Sequence, residues 1–489
     1  MTHADRVRNA DEFDCTPMGP LITADITADE IAAGYEILLR RKADEAGLRY
    51  WQSRSTGGLT LLKFMIELLV SDEFRALKRA ESHLQSRLAV RPTANRGPRT
   101  LVVRGDINSG TGYSRAIELY TGKIAQFFER VVGVDLHFHP SKHIRRWQHK
   151  TIDDVEVIAL LSGSDRRSVV LNVTTPDRFT RFSGAKNVGL FFWESNRISI
   201  PAWKILSIYM DEIWAPTRFQ LKALTDAQFF GQLRHVPCPF PTVAEQEGSG
   251  ETNLMFREIG SPGKARLGLI YSLRKIRSEF AFVVLTIGTF LPRKGFPILA
   301  HDWAKFARAN PDAALLVKTS SIDVNERSDD LFGEVADAFL GPARRMGLER
   351  TRVFLNTATI SDAQVDAAIT ACDAYVTCSY GEGFGLGLFE SLGKGKPVAC
   401  PRNSAFRELL PSEYPYLMDT DHCSVGLPDR VGLQSISSSW GIPKEGTLAA
   451  ALQVLRSDMQ HVDFSAKLSA LTKQVQLASS FDFSRLFEQ

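Results

Sequence analysis

From Thr100 to its end the chain alternates short apolar, β-branched runs with stretches of helical period, over about 390 residues. The runs Thr100–Val103, Val155–Leu161, Val169–Val173, Val188–Phe192, Phe282–Ile287, Ala314–Val317, Ala374–Thr377 and Pro397–Cys400 read as strands. A strand apolar on both sides needs cover on both faces, and intervening helices supply it when the strands run parallel. One sheet made of so many units would be unusually large, and a stretch rich in Gly, Pro and Glu, Pro239–Lys264, splits the region. The expectation is therefore α/β: two Rossmann-like domains facing a cleft, 99–245 and 264–470, joined by a linker at 246–263.

The residues before Thr100 follow a different pattern. After a polar tail at 1–22, Ile31, Tyr35, Leu38 and Leu39 fall on one helical face, and Thr27 with Glu30 reads as a capping box. A second helix is expected over Thr60–Val70. The spacing predicts a helical bundle at 23–90 with Tyr50 and Trp51 in its core, ending in a Pro- and Gly-bearing linker at 91–98. Three domains also suit 489 residues at roughly 150 per domain.

Composition excludes several classes. Lys and Arg total 59 against 56 Asp and Glu, so no nucleic-acid partner is expected. Leu59–Val70 and Phe280–Leu291 fall short of the roughly 18 apolar residues of a membrane span. The opening MTHADRVRNADEFDC lacks the apolar core of a signal peptide. Cys15, Cys238, Cys372, Cys378, Cys400 and Cys423 form no CxxC pair and read as reduced thiols of a cytoplasmic protein.

The segment SYGEGFGLGLFESLGKGKPVACP, Ser379–Pro401, carries the chemistry. It follows the run Ala374–Thr377 and opens a helix that Gly393 and Gly395 can close. Its glycines permit close backbone approach, and the amides of Phe384, Gly385 and Leu386 lie at the helix N-terminus. Such a terminus offers free N–H donors and roughly half a positive charge, which suits a diphosphate. A carboxylate just beyond it can take both hydroxyls of a ribose. No G-x-G-x-x-G fits, because Leu386 or Leu388 occupies the third place, and no P-loop glycine lies upstream of Lys394 or Lys396. A plain strand–helix turn with incidental glutamates is the alternative.

This segment resembles the E-x7-E signature of family 4 retaining glycosyltransferases, which have the GT-B fold; here it runs from Glu382 to Glu390. ISDAQVDAAITACDAYVTCS (Ile360–Ser379), GKPVACPRNSAFREL (Gly395–Leu409), TIGTFLPRKGFPIL (Thr286–Leu299) and Phe191–Leu224 resemble other parts of the family's fold, so the likeness spans about residues 99–489. The resemblance implies that Glu390 holds the donor ribose and Glu382 meets the transferred sugar. It also implies that the amides of Phe384, Gly385 and Leu386 meet the sugar and diphosphate, and that Lys294 acts catalytically as charge grows on the departing nucleotide. Where the family has Arg five residues earlier, this chain has Thr289, so Arg293 or Lys318 is expected to supply the missing cation. In the loop RGDINSGTGYSRA (Arg104–Ala116), Gly110 and Gly112 would permit approach to acceptor or donor phosphate, with Asn108, Ser109 and Ser114 as hydrogen-bonding groups. Glu194, in FFWESNR, stands where many members carry an acceptor-side histidine, and a structural role is the alternative.

What the resemblance implies is a cytoplasmic, metal-independent, retaining hexosyltransferase without a cofactor. Its donor would be a nucleotide-diphosphate sugar and its acceptor a glycan, a lipid-linked glycan or a protein, in bacterial cell-surface polysaccharide or lipopolysaccharide biosynthesis. Segment 471–489 would return to the first Rossmann domain. A GT-B epimerase or phosphorylase, or a sugar-nucleotide-binding protein without catalysis, are the alternatives.

Weaker signals surround this reading. His137, His139, His143 and His149 crowd together without a completing Cys or carboxylate, and Asp419-Thr420-Asp421 reads as a loop, so no metal is expected. Ser141–Lys150 sets Lys142, Arg145, Arg146 and Lys150 around Trp147, which reads as a solvated face or as a surface for peripheral contact with the inner face of a membrane. Tyr35–Phe74 resembles a small bacterial domain of unknown function, for which oligomerisation or docking are the open roles.

Overall fold

All but one of the apolar runs become strands of two sheets. The computed structural model describes residues 99–136, 147–162, 167–229, 231–241, 254–260, 267–321, 328–424 and 438–487, and before them 27–28, 31–32, 35, 43–55, 64, 67–68 and 71. The chain divides into two compact units, Met1–Arg96 and Gly97–Gln489.

In the first unit, helix α1 (Glu45–Ser55) buries Trp51. The Trp51 indole donates to the Tyr35 hydroxyl at 3.0 Å and meets the Phe64 ring edge-on, with Ile31 and Leu68 also buried. Tyr50, expected in the core, is instead 55% exposed. Consecutive helical residues point about 100° apart, so only one of the pair can face inward.

In the second unit, the first sheet contains β1 (Thr100–Gly105), β2 (Arg130–Asp135), β3 (Lys150–Thr151), β4 (Val169–Val173), β5 (Lys186–Leu190), β6 (Glu212–Ala215) and β7 (Gln232–His235). They lie in the order β3-β2-β1-β4-β5-β6-β7, every pair parallel. Val155–Leu161, expected as a strand, forms helix α2 (Asp154–Leu161) instead. Asp153 accepts from the Glu156 amide at 2.7 Å while Glu156 accepts from the Asp153 amide at 3.0 Å. That capping box decides a short apolar run ambiguous by period, and it leaves Val155 and Ile158 exposed while Val157 and Leu161 are buried.

The second sheet contains β8 (Met255–Ile259), β9 (Leu267–Ser272), β10 (Phe282–Ile287), β11 (Ala313–Lys318), β12 (Val353–Asn356), β13 (Ala374–Val376), β14 (Val398–Pro401) and β15 (Leu417–Met418). Their order is β15-β14-β13-β10-β11-β12-β8-β9, parallel except at β8 and β9. β8 lies inside 246–263, so part of the expected linker is an antiparallel strand of this sheet. This is the expected α/β fold of two Rossmann-like domains. Asp421, expected in a loop, lies in a strand, Thr420–Ser424, paired with Ser439–Pro443.

The strand orders fix where a ligand can sit. In the first sheet β1 lies between β2 and β4, and in the second β10 lies between β11 and β13, so successive crossovers leave on opposite sides. Open α/β sheets bind ligands at such switch points, beyond the carboxyl ends of the strands. After the last long helix, Phe487 packs on Phe127, Phe128 and Trp214 of the first Rossmann domain at 5.0–6.3 Å between ring centroids.

Candidate functional site

Loops leaving β1, β4, β10, β11 and β13 converge on one cavity of about 1540 Å³. A single small-molecule site takes roughly 300–1,000 Å³, so this space suits more than one ligand. Glu194, Thr289, Arg293, Lys294, Lys318, Glu382, Phe384, Gly385, Leu386, Glu390, Gly110 and Gly112 all line it. Asn108, Ser109 and Ser114, expected as hydrogen-bonding groups for a ligand, do not. The Asn108 side chain accepts from the Trp147 amide at 3.3 Å, and Ser109 is buried, bonded to Thr111 at 2.7 Å. The Ser114 hydroxyl donates to the Ile107 carbonyl at 2.6 Å. All three brace the loop that presents Gly110 and Thr111.

Helix α3 (Leu386–Gly393) begins at Gly385, whose φ of 92° is open to glycine at little cost. The amides of Phe384, Gly385 and Leu386 donate to no described residue, so the α3 N-terminus faces the cavity with unsatisfied donors. The Phe384 ring itself turns inward, 4.8 Å from Phe389.

Glu382 pairs with Lys294 and lies 3.6 Å from Arg293. Burial alone would raise its pKa, but the adjacent Lys294 and Arg293 charges and hydrogen bonds from Lys294 and Ser379 outweigh it, so the carboxyl is held below its usual range. Arg293 is occupied across the cleft: it donates to Glu194 at 2.9 Å and to the Gly381 carbonyl at 2.5 Å.

Lys318 ends β11, paired in register with Ile287, and its carbonyl accepts from the Gly288 amide at 3.0 Å, beside Thr289. It is 8% exposed, donates to the Thr319 carbonyl at 2.8 Å, and forms no ion pair among the described residues. Burial pulls its pKa down to about 8. The Thr319 hydroxyl beside it is buried without a partner among the described residues. Buried polar groups rarely stay unsatisfied, so this corner invites an acceptor.

Three contributors were not anticipated. Arg115 reaches from the first Rossmann domain to Glu390 at 3.1 Å. Asn403 donates to the carbonyls of Ser379 and Tyr380 at 3.0 Å each, and Ser404 accepts from the Glu382 amide at 2.8 Å, so the loop is pinned from behind. Ser404 holds φ at 39°, an uncommon conformation for a non-glycine residue. Arg115 was visible one turn after Gly112, but its partner lies far along the chain. Of the basic stretch Ser141–Lys150 only 147–150 are described, so that surface and His137, His139 and His143 lie outside the described residues. Among the described residues, no helix is long and apolar enough to cross a membrane.

Neither a family model nor any curated protein sequence matches the chain. Solved structures similar to it include HepE from Anabaena in complex with UDP and glucose, at 13% identity and a TM-score of 0.49, covering 80% of this chain and 98% of HepE. A point mutant of TarM from S. aureus, in complex with fondaparinux, alpha-GlcNAc-glycerol and UDP, is 13% identical with a TM-score of 0.41 and covers 66% of this chain. The pneumococcal O-GlcNAc transferase GtfA, in complex with UDP and GlcNAc, is 14% identical with a TM-score of 0.42 and covers 68% of this chain. The chain spans only 56% of the TarM chain and 59% of the GtfA chain.

Proposed function

We propose that the protein is a retaining glycosyltransferase of the GT-B class, moving a hexose-type sugar from a nucleotide-diphosphate sugar to a glycan, lipid-linked or protein hydroxyl. One observation carries the reading: Glu390, the open N-terminus of α3 and the Glu382–Lys294 pair share one cavity at the switch points of both sheets. The set answers to the parts of a nucleotide sugar, with a carboxylate for the ribose, amides for the diphosphate, and a paired acid and base for the sugar.

In this reading the acceptor oxygen bonds to the anomeric carbon as the bond from that carbon to the diphosphate breaks. The acceptor proton passes to the departing phosphate oxygen, and the nucleoside diphosphate leaves. Lys294 offsets the charge that grows on that oxygen, and the α3 amides share it. Arg293, committed to Glu194 and the Gly381 carbonyl, is poorly placed to stand in for the cation absent at Thr289. Lys318 is the better substitute, being beside Thr289 and without a carboxylate partner among the described residues. With both lysines supplying positive charge, the proposed reaction needs neither metal nor cofactor. Glu194 faces Arg293 as part of the cleft's charge pairing rather than as a base.

The test is purified protein incubated with UDP-, GDP-, ADP- and CDP-linked hexoses, each with a panel of glycan acceptors, the product anomer being read by NMR. Transfer with the donor's anomeric configuration supports the reading, and inversion overturns it. Tight donor binding without hydrolysis or transfer identifies a sugar-nucleotide-binding protein instead.

A further inference from the structure

Arg115 lies in the helix Gly112–Ile124 that follows the glycine loop of the first Rossmann domain. Its Nε donates to Glu390 Oε1 at 3.1 Å, and its Nη1 donates to Glu118 Oε2 at 2.6 Å. The planar guanidinium is thus held at two edges, one by its own helix and one by the facing domain. Both Arg115 and Glu390 line the cavity. Close approach is built in locally, because a Cβ on Gly112 would lie 3.5 Å from Leu386 Cδ1.

We propose that Arg115 is a positioning residue for ribose recognition: from the opposite domain it orients the Glu390 carboxylate that takes the ribose hydroxyls. The inference rests on the glycosyltransferase reading above. A carboxylate accepts about four hydrogen bonds, so a contact from Arg115 to one oxygen is compatible with two ribose hydroxyls. Orientation matters because the carboxylate sits on a flexible side chain whose rotamers would otherwise have to be frozen by the ligand. Ribose binding then depends on the first domain standing against the second, so donor recognition and cleft closure are coupled through one side chain.

The test is calorimetric titration of UDP, GDP, ADP and CDP, and of the 2′,3′-dideoxy counterpart of the tightest, against wild type and Arg115→Met. Loss of one oriented, charge-assisted contact should weaken the ribonucleoside diphosphate about tenfold. Binding of the dideoxy compound should be unchanged, because Arg115 acts only through the hydroxyls. Arg115→Lys, which keeps the charge and loses the fork, should fall between, and it carries the same comparison if Arg115→Met does not fold. Equal losses on both ligands, or no loss on either, overturn the proposal. A wild type that does not prefer the ribo form removes Glu390 as the ribose holder, and the proposal falls for that separate reason.

Discussion

Gly381 offers a direct probe of how the two Rossmann domains meet. A Cβ built there lies 2.0 Å from the Glu194 carbonyl oxygen and 3.1 Å from Trp440 Cδ1. Carbon–oxygen contacts settle near about 3.3 Å, so Gly381→Ala must part the two loops by about 1.3 Å. The obstruction is backbone, which cannot swing aside as a side chain would. Arg293 bridges these same loops, donating to the Gly381 carbonyl at 2.5 Å and to Glu194 at 2.9 Å, so parting them loosens both bonds. Overpacking of this kind costs about 1–3 kcal/mol, and misplacing a catalytic group by about 1 Å can cost about 100-fold in rate. We expect turnover at saturating donor to fall about 100-fold, with a lower melting temperature and weaker nucleoside diphosphate binding, because parting the domains also draws Arg115 away from Glu390. Gly333→Ala is the control, since a Cβ there meets nothing within 4 Å on a helix. Gly381→Ala with wild-type turnover and melting would refute the reasoning, because the loops would then not touch in the working protein.

The other expectations concern charge. Lys318, held near pKa 8 by burial against 10.5 when unfolded, is neutral in the folded protein above about pH 8 while the unfolded chain still carries the proton. Between those values its contribution to stability therefore rises with pH, whereas nucleoside diphosphate affinity should fall as the cation is lost. Calorimetry from pH 7 to 10 checks this, and a decline that persists in Lys318→Met would rule Lys318 out. Glu382→Gln should lower turnover by about 100- to 1,000-fold with donor affinity little changed. Glu390→Ala should chiefly weaken donor binding, and near wild-type kinetics in both variants would sink the site assignment.

How much was legible follows from which forces are local. β1, β4, β10 and β11 appeared in the sequence because their burial on both faces writes a continuous apolar run. β6, with Glu212 buried among Lys186, Arg234 and the Trp214 indole, did not, because charge pairing between neighbouring strands is invisible along one strand. β8 was hidden in a polar stretch that pairs antiparallel at a sheet flank. Glu382 and Glu390 could be picked out from one loop and its spacing, and Lys294 from the resemblance of a separate segment, Thr286–Leu299. Arg115, Asn403 and Thr319 could not, since each takes its meaning from a partner that only the fold supplies.

The glycines of the E-x7-E loop bring these two kinds of information together. In sequence they read as room for a ligand, yet each has a protein neighbour. Cβ atoms would strike Glu194 from Gly381, Phe192 from Gly383 and Phe406 from Gly385, with Tyr375 3.0 Å from Gly387. The first two contacts lie on the opposite domain, so the loop is shaped by domain contact as well as by any substrate. The same approach sets Arg293 against Glu194 and Arg115 against Glu390, pairing charge across the cleft. In the proposed reading, a diphosphate would enter a site in which Arg115 and Arg293 are already engaged by carboxylates. In that reading Lys318 and the α3 amides stand without a carboxylate partner among the described residues, while Lys294 must be drawn from Glu382 as negative charge develops. The diphosphate itself should thus be held more through Lys318 and α3 than through Arg293, which is why the Lys318→Met titration tests the electrostatics of the site most sharply.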